Sequence, residues 1–196
     1  MRIDGKAYRT IWRHADGVAI EIIDQTQLPH VLATVTLRTL AEAAHAIRAM
    51  QVRGAPLIGV TAAYGLCLAL RADASDAGLA EAGRLLVAQR PTAVNLRWAV
   101  ERMHAALQPL PPADRVAAAY TLADAMAEED VATNRSIGIN GATLIATLAS
   151  EKAAGQPVNV LTHCNAGWLA TVDHGTALAP IFAAHDAGLP VHVWVD

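Results

Sequence analysis

A chain of 196 residues is long enough to bury a core and to form one domain or two small ones. Hydrophobic residues make up 54% of it and aromatic residues only 4%, so the core must be aliphatic and alanine-rich, a composition that favours packed helices. The net charge of −3, from 15 basic and 18 acidic residues, gives no electrostatic case for nucleic acid as a partner.

The first residues, Met1-Arg2-Ile3-Asp4-Gly5-Lys6, contain no apolar signal core. Residues 8–13 and 18–23 are β-prone and flank Asp16-Gly17, a strong short-range hairpin signal. Pro29 precedes a third β-prone run, residues 31–37. The expectation is a small sheet acting as a lid or platform outside the core. Thr39 with Glu42 three residues on fits a capping box for a helix that ends before Gly54. His45 within it reads as an ordinary helical histidine.

Next comes Val52-Arg53-Gly54-Ala55-Pro56, with Pro56 suited to the first turn of a helix over residues 57–70. Arg53 and Gly54 then stand just ahead of a helix N-terminus, where free N–H groups and a glycine backbone suit a phosphate. An arginine preceding a core helix with no ligand is the plainer alternative. The uncharged run from Gly54 to Leu70 barely reaches the length of a membrane span and contains Pro56 and three glycines, so it reads as a buried helix. After a loop over 72–78 and a helix over 80–88, Arg90-Pro91 repeats the arrangement ahead of a helix running to about Leu107. If both helix ends converge, two guanidiniums and the free amides form a dianion site, with Asn95 one turn inside.

Pro109-Leu110-Pro111-Pro112 is a break. A long alanine-rich helix follows over 113–137, with Glu128-Glu129-Asp130 as a solvated acidic face. Gly138 and Gly141 are expected to interrupt it before it resumes to about Lys152. Gly155-Gln156-Pro157 marks a boundary, giving expected domains of 1–152 and 153–196. Residues 158–161 form a short apolar strand, a polar loop carries Thr162-His163-Cys164-Asn165-Ala166-Gly167, and a helix is predicted over 173–187, with Pro180 inside it, before a last strand over 191–195. This is one βαβ unit. Open α/β sheets hold ligands in such loops, and a thiol there can feel the positive end of the next helix. Cys164 is therefore the first candidate for chemistry, against the plainer reading of a small buried hydrophobe. The other cysteine, Cys67, lies too far away in sequence for a zinc motif or a disulfide framework, and a reducing cytoplasm fits. No pair of histidines has helical metal-ligand spacing.

His163-Cys164-Asn165-Ala166-Gly167, continuing to Gly175-Thr176-Ala177-Leu178, resembles the signature of the methylthioribose-1-phosphate isomerases. These share a superfamily with the regulatory subunits of the eukaryotic initiation factor 2B complex. The stretches at Arg53-Gly54-Ala55 and Arg90 resemble the same family, as do Asn134, Gly138 and Gly141, and the likeness covers essentially the whole chain.

The resemblance implies an aldose–ketose isomerase of methionine salvage that converts 5-methylthioribose 1-phosphate to 5-methylthioribulose 1-phosphate without metal or cofactor. It implies Cys164 as the catalytic residue and Arg53, Gly54, Ala55 and Arg90 at the substrate. His163 reads as a neighbour that orients the backbone, and Trp168 as packing or pocket wall.

The implied fold is α/β: a small N-terminal β-hairpin sheet and helical bundle, joined by a long helix to the first βαβ unit of a Rossmann-like parallel-sheet domain. A two-stranded parallel sheet of apolar strands is not expected to stand alone, so the chain reads as truncated. Family members continue well beyond this length and supply a partner Asp, further substrate residues and a homodimer interface; Asp196 is not taken as that Asp, because its context, Trp194-Val195-Asp196, matches the earlier strand end. A ribose-1,5-bisphosphate isomerase, a non-catalytic regulatory subunit and an inactive remnant stay open. The retained thiol and paired arginines speak against a regulatory role. The partner expected is a small sugar phosphate in the cytoplasm, with no nucleic acid and no membrane.

Overall fold

The structure is a computed structural model that describes residues 2–153 and 155–196. It is a mixed α/β chain with, among the described residues, six α-helices and three small sheets. Strands β1 (Arg2–Ile3) and β2 (Lys6–Ala7) make a tiny antiparallel ribbon that the sequence reading did not anticipate. The expected hairpin follows as β3 (Ile11–Arg13) and β4 (Ile20–Ile23), with β5 (Thr34–Leu37) completing an antiparallel sheet in the order β3-β4-β5. Its turn is held by the Asp16 carboxylate, which accepts the Val18 and Ala19 amides at 2.8 Å each. Those two bonds hold the Asp16 carboxyl well below the usual carboxylate range.

The N-terminal sheet does not lie outside the core as a lid. Ile11 pairs across the sheet with Ile22, and Ile20 with Leu37. All four are buried in the main hydrophobic core, so this sheet forms one wall of the core.

Helix α1 (Leu40–Arg48) begins with the predicted capping box: Thr39 Oγ1 accepts the Glu42 amide at 3.2 Å, and Glu42 Oε2 accepts the Thr39 amide at 2.9 Å. Helix α2 (Ala55–Leu70) is the centre of the bundle, buried from Leu57 to Leu70. Its internal polar groups are satisfied locally, as where the Thr61 hydroxyl donates to the Leu57 carbonyl at 2.8 Å. Helix α3 (Asp76–Gln89) starts four residues earlier than predicted because Ser75 caps it, accepting the Gly78 amide at 3.1 Å.

Helix α4 (Val94–Leu107) starts later than predicted. Pro91 lies in a turn closed by the Ala93 amide on the Arg90 carbonyl, 2.9 Å, and is not in the helix's first turn. The two helices meet closely at Gly59, where a Cβ would sit 3.0 Å from the Asn95 carbonyl oxygen and 3.4 Å from Ala99 Cβ. Gly59→Leu is therefore expected to lower the unfolding free energy by about 1–3 kcal/mol through overpacking, read as a shifted urea midpoint at unchanged slope.

Helix α5 (Pro112–Ser150) runs unbroken for 39 residues, about 58 Å at the standard rise. The predicted interruption at Gly138 and Gly141 does not occur. The glycines instead let helix α6 (Ala179–Asp186) approach: a Cβ at Gly138 would lie 3.2 Å from the Ala179 carbonyl, and one at Gly141 would overlap Pro180. The acidic run on α5 is only partly a solvated face. Glu128 and Glu129 are exposed and pair with Arg9 and Arg102, whereas Asp130 turns inward. Arg115, 3% exposed, spreads its guanidinium over the carbonyls of Leu107, Leu110, Gln108 and Ala74 and the carboxylate of Asp76, tying the start of α5 to the helical hairpin before it.

The βαβ unit is present. Strands β6 (Val158–Thr162) and β7 (Val191–Val195) are parallel, with Val158 opposite Val191 and Thr162 opposite Val195. The helix between them begins at Ala179, six residues later than predicted, so Pro180 lies in its first turn, where proline is tolerated. Residues 163–178 are left as a long loop that contains one 3-10 turn, Trp168–Ala170. Ile145, Val158 and Ala184 form a small second cluster, while Val172 from the loop is buried with the main core. No helix among the described residues is long and apolar enough to cross a membrane.

Candidate active site

Three elements meet around the 163–178 loop. The first is the N-terminus of α2. Gly54 is its N-cap, at φ +90°, and no side chain caps this end; Pro56 has no N–H and Leu57 is fully buried, so the leading amide open to solvent or a ligand is that of the exposed Ala55. Gly54 is packed so tightly against Ala170 that a Cβ would overlap the Ala170 Cα and carbonyl oxygen. Only glycine fits, for reasons of both space and backbone. The second element is the N-terminal sheet. Thr10 gives its hydroxyl to the Thr171 carbonyl at 2.5 Å and its amide to the Val172 carbonyl at 3.1 Å, and Gln25 Nε2 donates to the Leu169 carbonyl at 2.8 Å. The third is α5, whose Asp130 carboxylate accepts the Val172 amide at 2.7 Å and the Asn134 amide at 3.0 Å. Burial pushes the Asp130 carboxyl above its ordinary value, against the pull of these two hydrogen bonds.

Cys164 stands at the start of the loop, exposed, with a left-handed backbone at φ +71°. Cysteine rarely adopts that conformation, and departures of this kind gather at functional sites. The sequence reading placed the thiol near the positive end of the next helix. The N-cap amide of α6, Leu178, donates to the Ala166 carbonyl at 3.3 Å, and the Thr176 amide joins it at 3.0 Å, so a carbonyl of the Cys164 loop meets that helix end. His163 Nδ1 lies 3.0 Å from an Asp196 carboxylate oxygen, both side chains exposed. Trp168, left open above between packing and pocket wall, is buried at 8% exposure.

The predicted anion residues divide. Arg53 is exposed and Gly54 and Ala55 start α2, so this group adjoins the Cys164 loop through Ala170. Arg90 is half-buried at the C-cap of α3, and its link to the others is the first turn of α4, where Asn95 backs onto Gly59 of α2. Neither guanidinium makes a hydrogen bond or ion pair among the described residues, so each is available to an anion. The grooves of ≈ 520 and ≈ 740 Å³ on the helical face, between α3 and α4 and beside α1 to α3, are not lined by Cys164, Arg53 or Arg90. Among the described residues no three His, Cys, Asp or Glu side chains gather as a metal set.

The sequence reading missed Thr10, Gln25, Asp130 and Thr171. Thr10, Gln25 and Asp130 act on backbone far away in sequence, and Thr171 acts within an irregular loop, so no periodicity or motif signals them. The two thiols make the geometry checkable. Cys67 is fully buried in α2 and its thiol is pushed up by burial, with Asp124 adding to the effect, whereas Cys164 is open. Iodoacetamide should therefore label one cysteine per native chain, Cys164, and a second only in denaturant. Mass spectrometry of labelled peptides reads the outcome, and rapid native labelling of Cys67 would show α2 misplaced.

Comparison with known proteins agrees with the local resemblances. The chain is 62% identical, over all 196 residues, to a methylthioribose-1-phosphate isomerase of Methylorubrum populi, and 63% identical to one of Dechloromonas aromatica. It spans about half the length of these curated relatives, 53% and 54%. Among solved structures it matches 5-methylthioribose 1-phosphate isomerase from Pyrococcus horikoshii, with a TM-score of 0.82 and 32% identity over 97% of this chain and 53% of that one. It also matches the translation initiation factor eIF-2B subunit delta from A. fulgidus, with a TM-score of 0.78 and 37% identity over 96% of this chain and 54% of that one. Residues 51–196 match the family described as the initiation factor 2 subunit family, and the chain belongs to that family.

Proposed function

We propose that this chain forms the N-terminal part of an aldose–ketose isomerase acting on 5-methylthioribose 1-phosphate in methionine salvage. The observation that carries the reading is the junction of Gly54 with Ala170, which brings an uncapped helix N-terminus and Arg53 to the loop that bears the exposed Cys164. The names of the relatives that match the chain throughout support the substrate. The C1 phosphate prevents the sugar from opening as a free aldose does, so an acid must protonate the ring oxygen as the C1–O bond breaks. Hydrogen then moves from C2 to C1, leaving the C2 ketone. In this reading the Ala55 amide at the start of α2, Arg53 and Arg90 hold the phosphate and fix C1 and C2 relative to Cys164, the group at the reacting carbons.

The remaining parts of the reading concern the half of the relatives that this chain does not match. We assign to it the Asp partner of Cys164, and treat the β6–β7 unit as the opening of a larger Rossmann-like sheet in a cytoplasmic homodimer. The exposure of Leu161, Trp194 and Val195 on that unit, 74%, 58% and 80%, supports a cover over these strands. The test is isomerase turnover on 5-methylthioribose 1-phosphate by this chain, alone and with the corresponding C-terminal half of a relative, measured as ketose formed. Turnover in either case supports the reading. Its absence in both, with the halves shown to associate, overturns it.

A further inference from the structure

The 163–178 loop has no regular secondary structure beyond one turn, yet it must hold Cys164 in a left-handed conformation. What organises it is a side chain with no assigned role. Thr171 is fully buried, and its hydroxyl lies among three backbone groups: it accepts the Gly175 amide at 3.1 Å and faces the carbonyls of Trp168 at 3.1 Å and Asp173 at 3.0 Å. A hydroxyl has one proton to donate and lone pairs to accept, so it suits a site where an amide and carbonyls converge.

Gly175, itself at φ +80°, is pressed against Gly167 and Trp168: a Cβ there would lie 2.6 Å from Gly167 carbonyl carbon and 2.7 Å from the Trp168 nitrogen. The next residues continue the closure, with the Thr176 amide and hydroxyl both on the Ala166 carbonyl at 3.0 and 3.1 Å. The Ala166 amide in turn donates to the Cys164 carbonyl at 3.0 Å. A continuous path of short backbone contacts therefore runs from the Thr171 hydroxyl through Gly175 and Ala166 to Cys164. Thr171 is anchored in its turn, since its carbonyl accepts the Thr10 hydroxyl and the next amide, at Val172, is held by Asp130.

We infer that Thr171 is a positioning residue: its buried hydroxyl clamps the Gly175 turn onto Gly167–Trp168 and so fixes the backbone that presents Cys164. The inference rests on the reading of Cys164 as the reacting thiol. Thr171→Val keeps the shape and removes the hydroxyl, leaving a buried Gly175 amide unpaired. Thr171→Ser keeps the hydroxyl.

In the 196-residue chain, the amide resonances of Cys164, Ala166 and Gly167 are expected to shift in Thr171→Val, and the Cys164 alkylation rate to change. Both should return to parental values in Thr171→Ser. In the assembled enzyme kcat should fall about tenfold in the Val variant at little-changed KM and recover in the Ser variant. Parental resonances and alkylation in Thr171→Val would overturn the inference. Equal disturbance in the Ser variant would do the same, because it would assign the effect to the methyl group. Should the Val variant not fold, hydrogen exchange of the unmutated chain decides: a Gly175 amide protected well beyond the exposed Gly188 supports the clamp, and an unprotected one removes it. The resonance, alkylation and exchange readings need no turnover, so a failed isomerase assay would leave them standing and would count against the proposed function alone.

Discussion

Cys164→Ser is expected to lower isomerase turnover by about 10²–10⁴-fold in the protein completed by the half its relatives carry, while leaving thermal unfolding of the chain unchanged. The two expectations come from the same geometry. Cys164 is exposed and belongs to neither hydrophobic cluster, so exchanging sulfur for oxygen removes no burial, and surface changes of this kind usually stay within about 0.5 kcal/mol. Its chemistry has no substitute nearby. The neighbouring His163 is engaged with Asp196, and the other thiol, Cys67, is shut inside α2. Cys164→Gly sharpens the point. At φ +71° glycine is the unstrained residue, so this variant should unfold no more readily than the parent and yet be as inactive as Cys164→Ser. If Cys164→Ser kept its turnover, the thiol would not be the reacting group.

Much of this was legible locally. The Asp16-Gly17 turn, the Thr39–Glu42 box and the Pro56 helix start are short-range devices, and each acts as its sequence indicates. The helix starts at α3 and α4 were misplaced by local caps and turns, and the larger errors arise where packing across the molecule overrides local preference. Gly138 and Gly141 read as breaks because glycine is a poor helix former, but the approach of α6 turns the missing side chains into an advantage. Asp130 read as one of three solvated acids, but the Val172 amide and Asn134 supply the partners that make its burial tolerable. The N-terminal sheet read as a lid because its strands are short, while its inward residues meet a core contributed from far along the chain. For the site, the sequence reading named candidates to react or bind and missed the groups that hold the loop, because a threonine hydroxyl on loop backbone or a carboxylate bonded to a distant amide leaves no pattern in the chain.

Gly54→Ala should be among the most damaging single-methyl changes in the protein, lowering the unfolding free energy by about 2–6 kcal/mol. Two costs combine. The backbone at φ +90° is one that residues with a Cβ rarely adopt, worth about 1–3 kcal/mol. The new methyl would also overlap the Ala170 Cα, Cβ and carbonyl oxygen, and overpacking of this kind typically costs about a further 1–3 kcal/mol. Gly155→Ala separates the two. Gly155 has φ +80° with nothing within 4 Å of the added carbon, so it carries the backbone cost alone. At about 2–4 °C per kcal/mol for a chain of this size, Gly54→Ala should melt about 10 °C below the parent and Gly155→Ala only a few degrees below it. Removing the Ala170 side chain should not rescue Gly54→Ala, because two of the three clashing atoms are backbone. The only relief is for the loop to move off α2, which separates the uncapped helix end from the segment bearing Cys164. Gly54→Ala should thus lose turnover beyond what its stability explains, even at temperatures where it is fully folded. A variant that melted like Gly155→Ala and kept full turnover would show that the α2 terminus and the Cys164 loop do not need to touch for the enzyme to work.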